Sequence, residues 1–365
     1  MISVLIPTGS SEKPQWIYNT VESVTQTAKE DIEVLVLLDG WENRNKIVEI
    51  RQLLKPFKNV RILPSSDNKG ERGTVNRGAA AARGKFIIKL DAHCSLSAGW
   101  DVALKEQCCE KYLLVCTLDA LNAETWIPLG HRYERVYITP SGEEKWWPNH
   151  LDHLDAASTI VPSMSLTGCG WFCRRDYFLE HLRYDETLGK WGCIGPEMSA
   201  KVEKSGGAIF IHRGVRCGHV FSTNPRGYPV SEVVRTRKAV LSKYSAAIWA
   251  LAQRFSNIPG WKHVLDDYPT NWEAYFMYET TIDRKETTET RDSSGNVIKK
   301  VIKYYQPVPY KGAENPDDPE VGKRLTQDAP VVQIRIADWG VQGWHYTTLN
   351  KKEDIELWLF ENAPV

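Results

Sequence analysis

Asp91 and His93 stand two positions apart directly after an apolar segment, Phe86–Leu90. A carboxylate and an imidazole that directly follow the end of one strand can point into the same crevice. Oxygen and nitrogen ligands together suit a divalent cation such as Mn²⁺ or Mg²⁺, which can bridge two phosphates of a nucleotide. The pair by itself has a second explanation, in which Asp91 caps a helix that begins near Ser97.

The elements that must position this pair follow a regular alternation. Strands are predicted at Ile2–Ile6, Ile32–Leu38, Val60–Leu63 and Phe86–Leu90, and helices at Pro14–Thr27, Glu42–Leu54 and Gly70–Arg83. Continuously apolar strands that alternate with helices predict parallel βαβ units with both faces of the sheet covered. Ligands of such sheets bind beyond the carboxyl ends of the strands. The loops at Pro7-Thr8, Asp39-Gly40 and Asp91–His93 are therefore expected to converge on one crevice.

The remainder of the chain changes character twice. Residues 121–162 are aromatic and irregular, which predicts an insertion or a lid over the crevice. A regular pattern returns at Met164–Cys173, followed by a predicted helix near Pro196–Ser205 and a predicted strand at Ala208–His212. After Tyr228 we expect a helix at Ser231–Phe255 and a hairpin that turns at residues 292–296. The predicted domains are residues 1–228, an α/β nucleotide-binding domain with a mainly parallel sheet, and residues 229–365, a smaller α+β subdomain that could bind an acceptor.

Composition limits the class of partner. Lys plus Arg and Asp plus Glu both total 46, so net charge gives no indication of a nucleic acid or a membrane. The eight cysteines form no paired CxxC motif, which argues against a structural zinc site. The first residues, MISVLIPTGS, are typical of a strand and not of a signal peptide, and no apolar run is long enough for a membrane helix. We expect reduced thiols and a cytoplasmic protein.

Three segments in order resemble the polypeptide N-acetylgalactosaminyltransferases and their family 2 relatives. They are NKGERGTVNRGAAAARGKFIIKLDAHCSLSAGW, SLTGCGWFCRRDYFLEHLRYDETLGKWG and SGGAIFIHRGVRCGHVF, within residues 1–222. The resemblance implies a Rossmann-like GT-A fold and a glycosyltransferase that takes its sugar from a nucleotide-sugar donor. The soluble relatives occur in bacteria and bacteriophages. The expected location is the cytoplasm, which for a viral protein is that of the host cell.

The resemblance also implies roles for residues at matching positions. Asp91, His93 and His219 match the family's metal ligands, and Asp39 matches the acid that binds the uridine end of the donor. The family usually has two adjacent acids there, whereas this chain has Leu38-Asp39, which weakens the case for uracil. The other donor-binding candidates are Pro7, Thr8, Arg72, Asn76, Gly168, Gly170 and Trp171.

Trp191 and Glu197 fall in the segment that resembles the catalytic Trp-Gly-Gly-Glu-Asn-x-Glu motif. That motif is broken here, because Glu197 is the sole carboxylate between Trp191 and Lys201. We expect Glu197 to act as a general base or to orient the sugar. The alternative is an acid that stabilises the first turn of a helix. Whether transfer retains or inverts the anomeric configuration stays open.

The acceptor is the least determined part of the prediction. The expected reaction transfers a sugar, from UDP-sugar or a related donor, to a hydroxyl group. The acceptor hydroxyl would belong to a glycan, to a protein Ser or Thr, or to a hydroxymethylated base in DNA, since some viral relatives glycosylate DNA. The segment VIKKVIKYYQPVPYK, which interleaves lysines with tyrosines, gives the DNA hypothesis its support. A hypothesis of another class is a binding module that has kept the fold and lost the chemistry.

Overall fold

Alternating helices and strands in residues 2–89 form parallel βαβ units, as expected. The computed structural model describes residues 1–139, 142–146, 158–221, 230–256, 284–305, 331–340 and 343–349. Its contacts divide the chain into two compact units, Met1–Thr270 and Asn271–Val365.

The strands of the first unit are β1 (Ile2–Gly9), β2 (Ile32–Asp39), β3 (Val60–Leu63), β4 (Phe86–Lys89), β5 (Cys94–Leu96), β6 (Tyr112–Leu121), β7 (Pro128–Tyr133), β8 (Val136–Ile138), β9 (Glu144–Trp146), β10 (Ile160–Pro162), β11 (Trp171–Arg174) and β12 (Ala208–His219). Its helices are α1 (Pro14–Thr27), α2 (Arg44–Leu54), α3 (Gly70–Ala81), α4 (Trp100–Gln107), the short α5 (Arg175–Tyr177), α6 (Ile194–Lys204) and α7 (Val230–Ser256).

One large sheet carries the fold, in the order β10-β12-β6-β11-β4-β1-β2-β3, with β5 paired to β12 and β7 to β6. Strands β1 to β4 pair in parallel, and so do β6 and β12. Strand β11 is antiparallel to both β4 and β6. The α/β fold class is confirmed: the longest strand pairings are parallel, as predicted from the first ninety residues, and short antiparallel pairings make the sheet mixed.

Burial explains why six of the eight residues of β2 are apolar. All eight of its residues are buried, because helices cover both faces of the sheet. Val34, Val36 and Leu38 belong to one hydrophobic layer and Leu35 and Leu37 to the other. On the second face α3 packs so closely that a Cβ on Gly78 would come within 2.4 Å of a Leu37 methyl group.

Several elements differ from the sequence-based expectation. The residues after His93 form the short strand β5, and the following helix begins at Trp100, after Gly99 in a left-handed conformation. Strand β12 continues to His219, seven residues beyond the predicted end. Within residues 121–162, β8 and β9 form a small antiparallel hairpin, while residues 140–141 and 147–157 lie outside the described part.

The C-terminal prediction is confirmed where the structure describes it. Helix α7 covers the predicted helix, and the hairpin is formed by β13 (Arg284–Arg291) and β14 (Val297–Tyr305). With β15 (Val331–Gly340) and β16 (Gly343–Leu349) these strands form a four-stranded antiparallel sheet. The domain boundary at residues 228–229 stays a prediction, although α7 packs on α6 within the first unit.

Candidate functional site

Strand pairing brings the three predicted metal ligands together. Asp91 follows β4, His93 precedes β5, and His219 ends β12, where it lies opposite Cys94 in the β5–β12 pairing. One ligand atom from each of the three lies within 4.8 Å of the others. His219 Nε2 is 3.1 Å and His93 Nε2 is 3.8 Å from the same oxygen, Asp91 Oδ2.

A buried lysine lies beneath this triad. Lys89 Nζ is 2.7 Å from Asp91 Oδ1 and 2.6 Å from Glu71 Oε1, and it also donates to the carbonyl of Gly168. Burial acts to lower the pKa of Lys89, but the carboxylates of Asp91 and Glu71 outweigh it and hold that pKa well above its usual value. Burial similarly acts to raise the pKa of Asp91, and Lys89 and His219 together hold it well below its usual value. Asp91 is therefore ionised, with Oδ2 facing the histidines.

Glu12 orients His93 from outside the triad. The Nδ1 atom of His93 lies 3.2 Å from Glu12 Oε2. A carboxylate at that distance favours the proton on Nδ1, which leaves the Nε2 lone pair directed toward Asp91. Glu12 was not predicted from the sequence, since it precedes α1 and has no motif around it.

The triad opens into a cleft of about 280 Å³. Its lining residues are Glu71, Lys89, Asp91, Leu118, Val136, Glu144, Lys145, Trp146, Thr167, Gly168, Cys169, Trp191, His219 and Phe221. Gly168 and Trp191, predicted as a donor-binding and a catalytic residue, both line this cleft. A Cβ at Gly168 would meet only Glu71 Oε1, at 3.9 Å, so this glycine leaves room in the cleft.

Two other predicted donor residues do not line the cleft. Gly170 has a left-handed backbone, and its N–H donates to the Lys89 carbonyl while its own carbonyl accepts from Cys116 N. Trp171 is fully buried and stacks on Phe178 with ring centroids 5.4 Å apart. Both residues belong to the core beneath the cleft, which corrects the expectation that they approach the donor sugar.

The loops after β1 and β2 lie side by side, because Gly9 pairs with Asp39 in the parallel register. Asp39 accepts the backbone N–H groups of Lys69 at 2.8 Å and Gly70 at 2.9 Å, so its carboxylate caps α3. Thr8 is buried and its carbonyl accepts a hydrogen bond from Trp41 Nε1. Pro7 is half-buried beside it.

Arg72, Asn76 and Glu197 form an internal network instead of facing the cleft. The Arg72 and Glu197 side chains are fully buried, with Arg72 Nε 2.8 Å from Glu197 Oε2. The other carboxylate oxygen of Glu197 accepts from Asp185 N and Lys201 Nζ, both at 2.6 Å. Asn76 donates to Tyr184 O and accepts from Tyr184 N. This arrangement contradicts the expectation that Glu197 faces an acceptor.

Glu144 is a cleft residue that the motifs did not indicate. It lies on β9, and its carboxyl group is directed inward although the residue as a whole is exposed. Burial of that group, and then the charge of Glu71, raise the pKa of Glu144 to about 8. Irregular sequence around Glu144 gave no signal that could have located it.

Three buried thiols lie directly behind His219. Cys94 Sγ is 3.2 Å from Cys169 Sγ, which is 3.9 Å from Cys217 Sγ. Cys94, Cys169 and His219 also form a set whose ligand atoms lie within 4.8 Å of one another. All eight cysteines are free thiols, and the spacing of Cys94 and Cys169, 75 residues apart, gave no indication that they meet.

Comparison with known proteins shows which family the sequence resembles. The sequence model of glycosyl transferase family 2 matches residues 3–182. Polypeptide N-acetylgalactosaminyltransferase 12 of Mus musculus is 26% identical over 250 residues, which are 64% of this chain and 41% of that protein. Polypeptide N-acetylgalactosaminyltransferase 3 of Taeniopygia guttata is 27% identical over 237 residues, 61% of this chain and 38% of that protein. The chain spans about two fifths of the length of these relatives.

A solved structure shows the same fold. The crystal structure of GalNAc-T7 with UDP, GalNAc and Mn²⁺ superposes with a TM-score of 0.62 at 18% sequence identity. The match covers 96% of this chain and 72% of that one. Among the residues that the structure describes, no helix is both long enough and apolar enough to cross a bilayer.

Proposed function

We propose that this protein transfers a sugar from a nucleotide-sugar donor to a hydroxyl group, because residues 3–182 match the sequence model of glycosyl transferase family 2 and the GT-A fold is similar to that of GalNAc-T7. A UDP-sugar is the proposed donor, because GalNAc-T7 binds UDP on the same fold.

One observation carries the proposal, the convergence of His93 and His219 on Asp91 Oδ2, which belongs to the lining of the cleft. These residues fit a divalent cation, because an ionised carboxylate and two imidazoles are donors that Mn²⁺ accepts. Asp91, His93 and His219 would hold the ion, which would neutralise the charge of the departing diphosphate. The Mn²⁺ in the GalNAc-T7 crystal structure supports the choice of metal.

The chain's own residues prepare the site for this role. Lys89 offsets the charges of Asp91 and Glu71, so the acidic groups of the cleft do not repel a diphosphate as strongly as they would alone. Glu12 keeps the metal-binding nitrogen of His93 free of its proton. We propose that Pro7 and Thr8 line the base pocket. Asp39, on the neighbouring strand, fixes the start of α3 through its hydrogen bonds with Lys69 N and Gly70 N.

The test is release of UDP from a panel of UDP-sugars, with Mn²⁺ and then with EDTA. We expect one donor to be hydrolysed or transferred only with the metal present. Asp91→Asn and His219→Ala should each abolish that turnover while the protein remains folded. His181→Ala is the matched control, because His181 is exposed and outside the cleft.

Wild-type turnover by both Asp91→Asn and His219→Ala would refute the assignment of the metal site. Tight binding of UDP without release from any donor would favour the alternative class, a binding module. Part of the support for that alternative is that Glu197 is locked to Arg72.

For the acceptor we propose a hydroxyl group on a glycan, a protein or a hydroxymethylated base in DNA. Support for DNA rests on the β14 lysines. Lys300, one of them, lies 3.2 Å from Glu289 on β13, so its charge is partly offset. Lys311 and Tyr310 lie outside the described residues. The DNA proposal predicts duplex binding at low salt that weakens steeply as salt rises; undetectable binding at low salt would exclude it.

A further inference from the structure

Three carboxyl groups line the described part of the cleft, those of Glu71, Asp91 and Glu144. Glu71 and Asp91 are both held by Lys89 Nζ, at 2.6 and 2.7 Å. Neither is available to accept a proton without losing that ion pair. Within the described residues, no cation lies at ion-pair distance from Glu144.

The position of the Glu144 carboxyl group depends on a glycine. Gly195, in the first turn of α6, lacks the side chain that would otherwise fill this space. A Cβ there would come within 1.7 Å of Glu144 Oε1. The carboxyl group of β9 thus packs directly on the helix backbone, and from there it faces the same cleft as Asp91 and His219. The β8–β9 hairpin, which is not part of the large sheet, therefore supplies an acidic group to the site.

We propose that Glu144 is the general base that takes the proton of the acceptor hydroxyl. The inference rests on the proposed function of the cleft. The acceptor oxygen forms a bond to the anomeric carbon of the donor sugar, and the bond from that carbon to the phosphate oxygen breaks. The hydroxyl proton goes to Glu144, and the electron pair of the broken bond leaves with the nucleoside diphosphate. Attack opposite the leaving group inverts the anomeric configuration.

The environment of Glu144 suits this role. A general base works best when its pKa lies near the operating pH. Burial and the nearby charge of Glu71 move the pKa of Glu144 in that direction, to about 8. Glu197, by contrast, is fully buried and accepts three hydrogen bonds. Glu144 thus has what Glu197 lacks, a carboxyl group that reaches the cleft.

The decisive variant is Glu144→Gln, which keeps the shape and removes the base. With water as acceptor, and the UDP-sugar that the wild type hydrolyses with Mn²⁺, we expect UDP release to fall by about 10²- to 10⁴-fold. Binding of UDP with Mn²⁺ should stay within about threefold of the wild type, because Glu144 is not among the metal ligands. Glu143→Gln is the matched control, since the neighbouring Glu143 pairs with Arg237 and does not line the cleft.

A second variant distinguishes the loss of a catalytic base from a loss of packing around residue 144. Glu144→Ala leaves a gap beside Gly195, and added formate should restore part of the lost rate by acting as an external base. ¹H NMR of the sugar as it is released should show the inverted anomer first.

Near-normal turnover by Glu144→Gln, no recovery with formate, or a retained anomer would each overturn the role of Glu144. The proposed function would survive those results, because metal-dependent release by the wild type would remain. Absence of any metal-dependent release by the wild type would overturn both.

Discussion

Arg72 and Glu197 are both removed from solvent, and Glu197 compensates the charge of Arg72, whereas Glu197 itself also pairs with Lys201. Breaking a buried ion pair from one side costs more than the pair contributes, because the remaining charge is left without a partner. Glu197→Leu leaves the buried Arg72 without this ion pair and is therefore expected to lower the free energy of unfolding by about 3–5 kcal/mol, measured by urea denaturation.

The double variant Arg72→Met/Glu197→Leu is the control for this prediction. It removes both charges, and the partly exposed Lys201 can turn to water, so most of the stability should return. A double variant no more stable than Glu197→Leu would contradict the pairing.

Glu144 predicts the pH dependence of turnover. Its raised pKa means that the carboxyl group is protonated below about pH 8 and cannot accept a proton there. The rate of UDP release should rise as pH increases through about 8 and then level off. The titratable groups around it are Glu71 on α3, Cys193 before α6 and Lys145 on its own strand, with Lys89 and Asp91 deeper in the cleft.

Comparison with Glu144→Gln isolates the contribution of this one group. The rate of UDP release by the variant should no longer rise through about pH 8. Any pH dependence that arises from the other groups should remain. If the rate of the variant still rose through about pH 8, the titrating group would be one of those neighbours and not Glu144.

At the scale of elements, α3 begins under a steric constraint at Gly70. This residue has a φ of +69°, and a Cβ would lie 2.4 Å from Lys190 Cβ and 2.5 Å from the Lys190 carbonyl. Gly206 has the same left-handed backbone, with φ +70°, but nothing within 4 Å. Gly206→Ala should cost about 1–2 kcal/mol of stability from the backbone alone, and Gly70→Ala clearly more. Equal losses in thermal or urea unfolding would show that Lys190 moves away.

Local patterns predicted the elements whose burial is encoded in consecutive residues. The limits of α1 follow from its helical periodicity. The core of β2 follows from its continuous apolar run, because all eight of its residues are buried and only Glu33 and the last residue, Asp39, are polar. The end of β12 at His219 could not be predicted in this way, since it depends on pairing with β5, about 120 residues earlier.

The residues of the candidate site also fall into two groups, those that motifs predicted and those that depend on contacts with distant parts of the chain. Asp91, His93 and His219 were found from motifs, and the structure brings them together. Glu197 was placed correctly at the start of a helix, but the direction of its side chain depended on Arg72, 125 residues away. Glu12 and Glu144 contribute through tertiary contacts, so no spacing in the sequence indicated them. Lys89 also pairs with Asp91, two residues away, but no motif indicated its role.

For the molecule as a whole, the sheet predicts a gradient of local stability. Strand β2 is buried at every position, whereas five of the six residues of β7 are exposed at the edge of the sheet. Amide hydrogen exchange should therefore be slowest in β2 and much faster in β7. Similar protection in the two strands, measured by mass spectrometry of peptides, would contradict this order.

The contact between Gly195 and Glu144 has an evolutionary consequence. The two positions belong to different elements, α6 and the β8–β9 hairpin. A side chain at position 195 would occupy the space that the Glu144 carboxyl group fills. Substitutions at these positions should therefore be inherited together. Homologues with an acid at position 144 should keep glycine at position 195, and those with a larger residue at 195 should carry a short or differently directed side chain at 144.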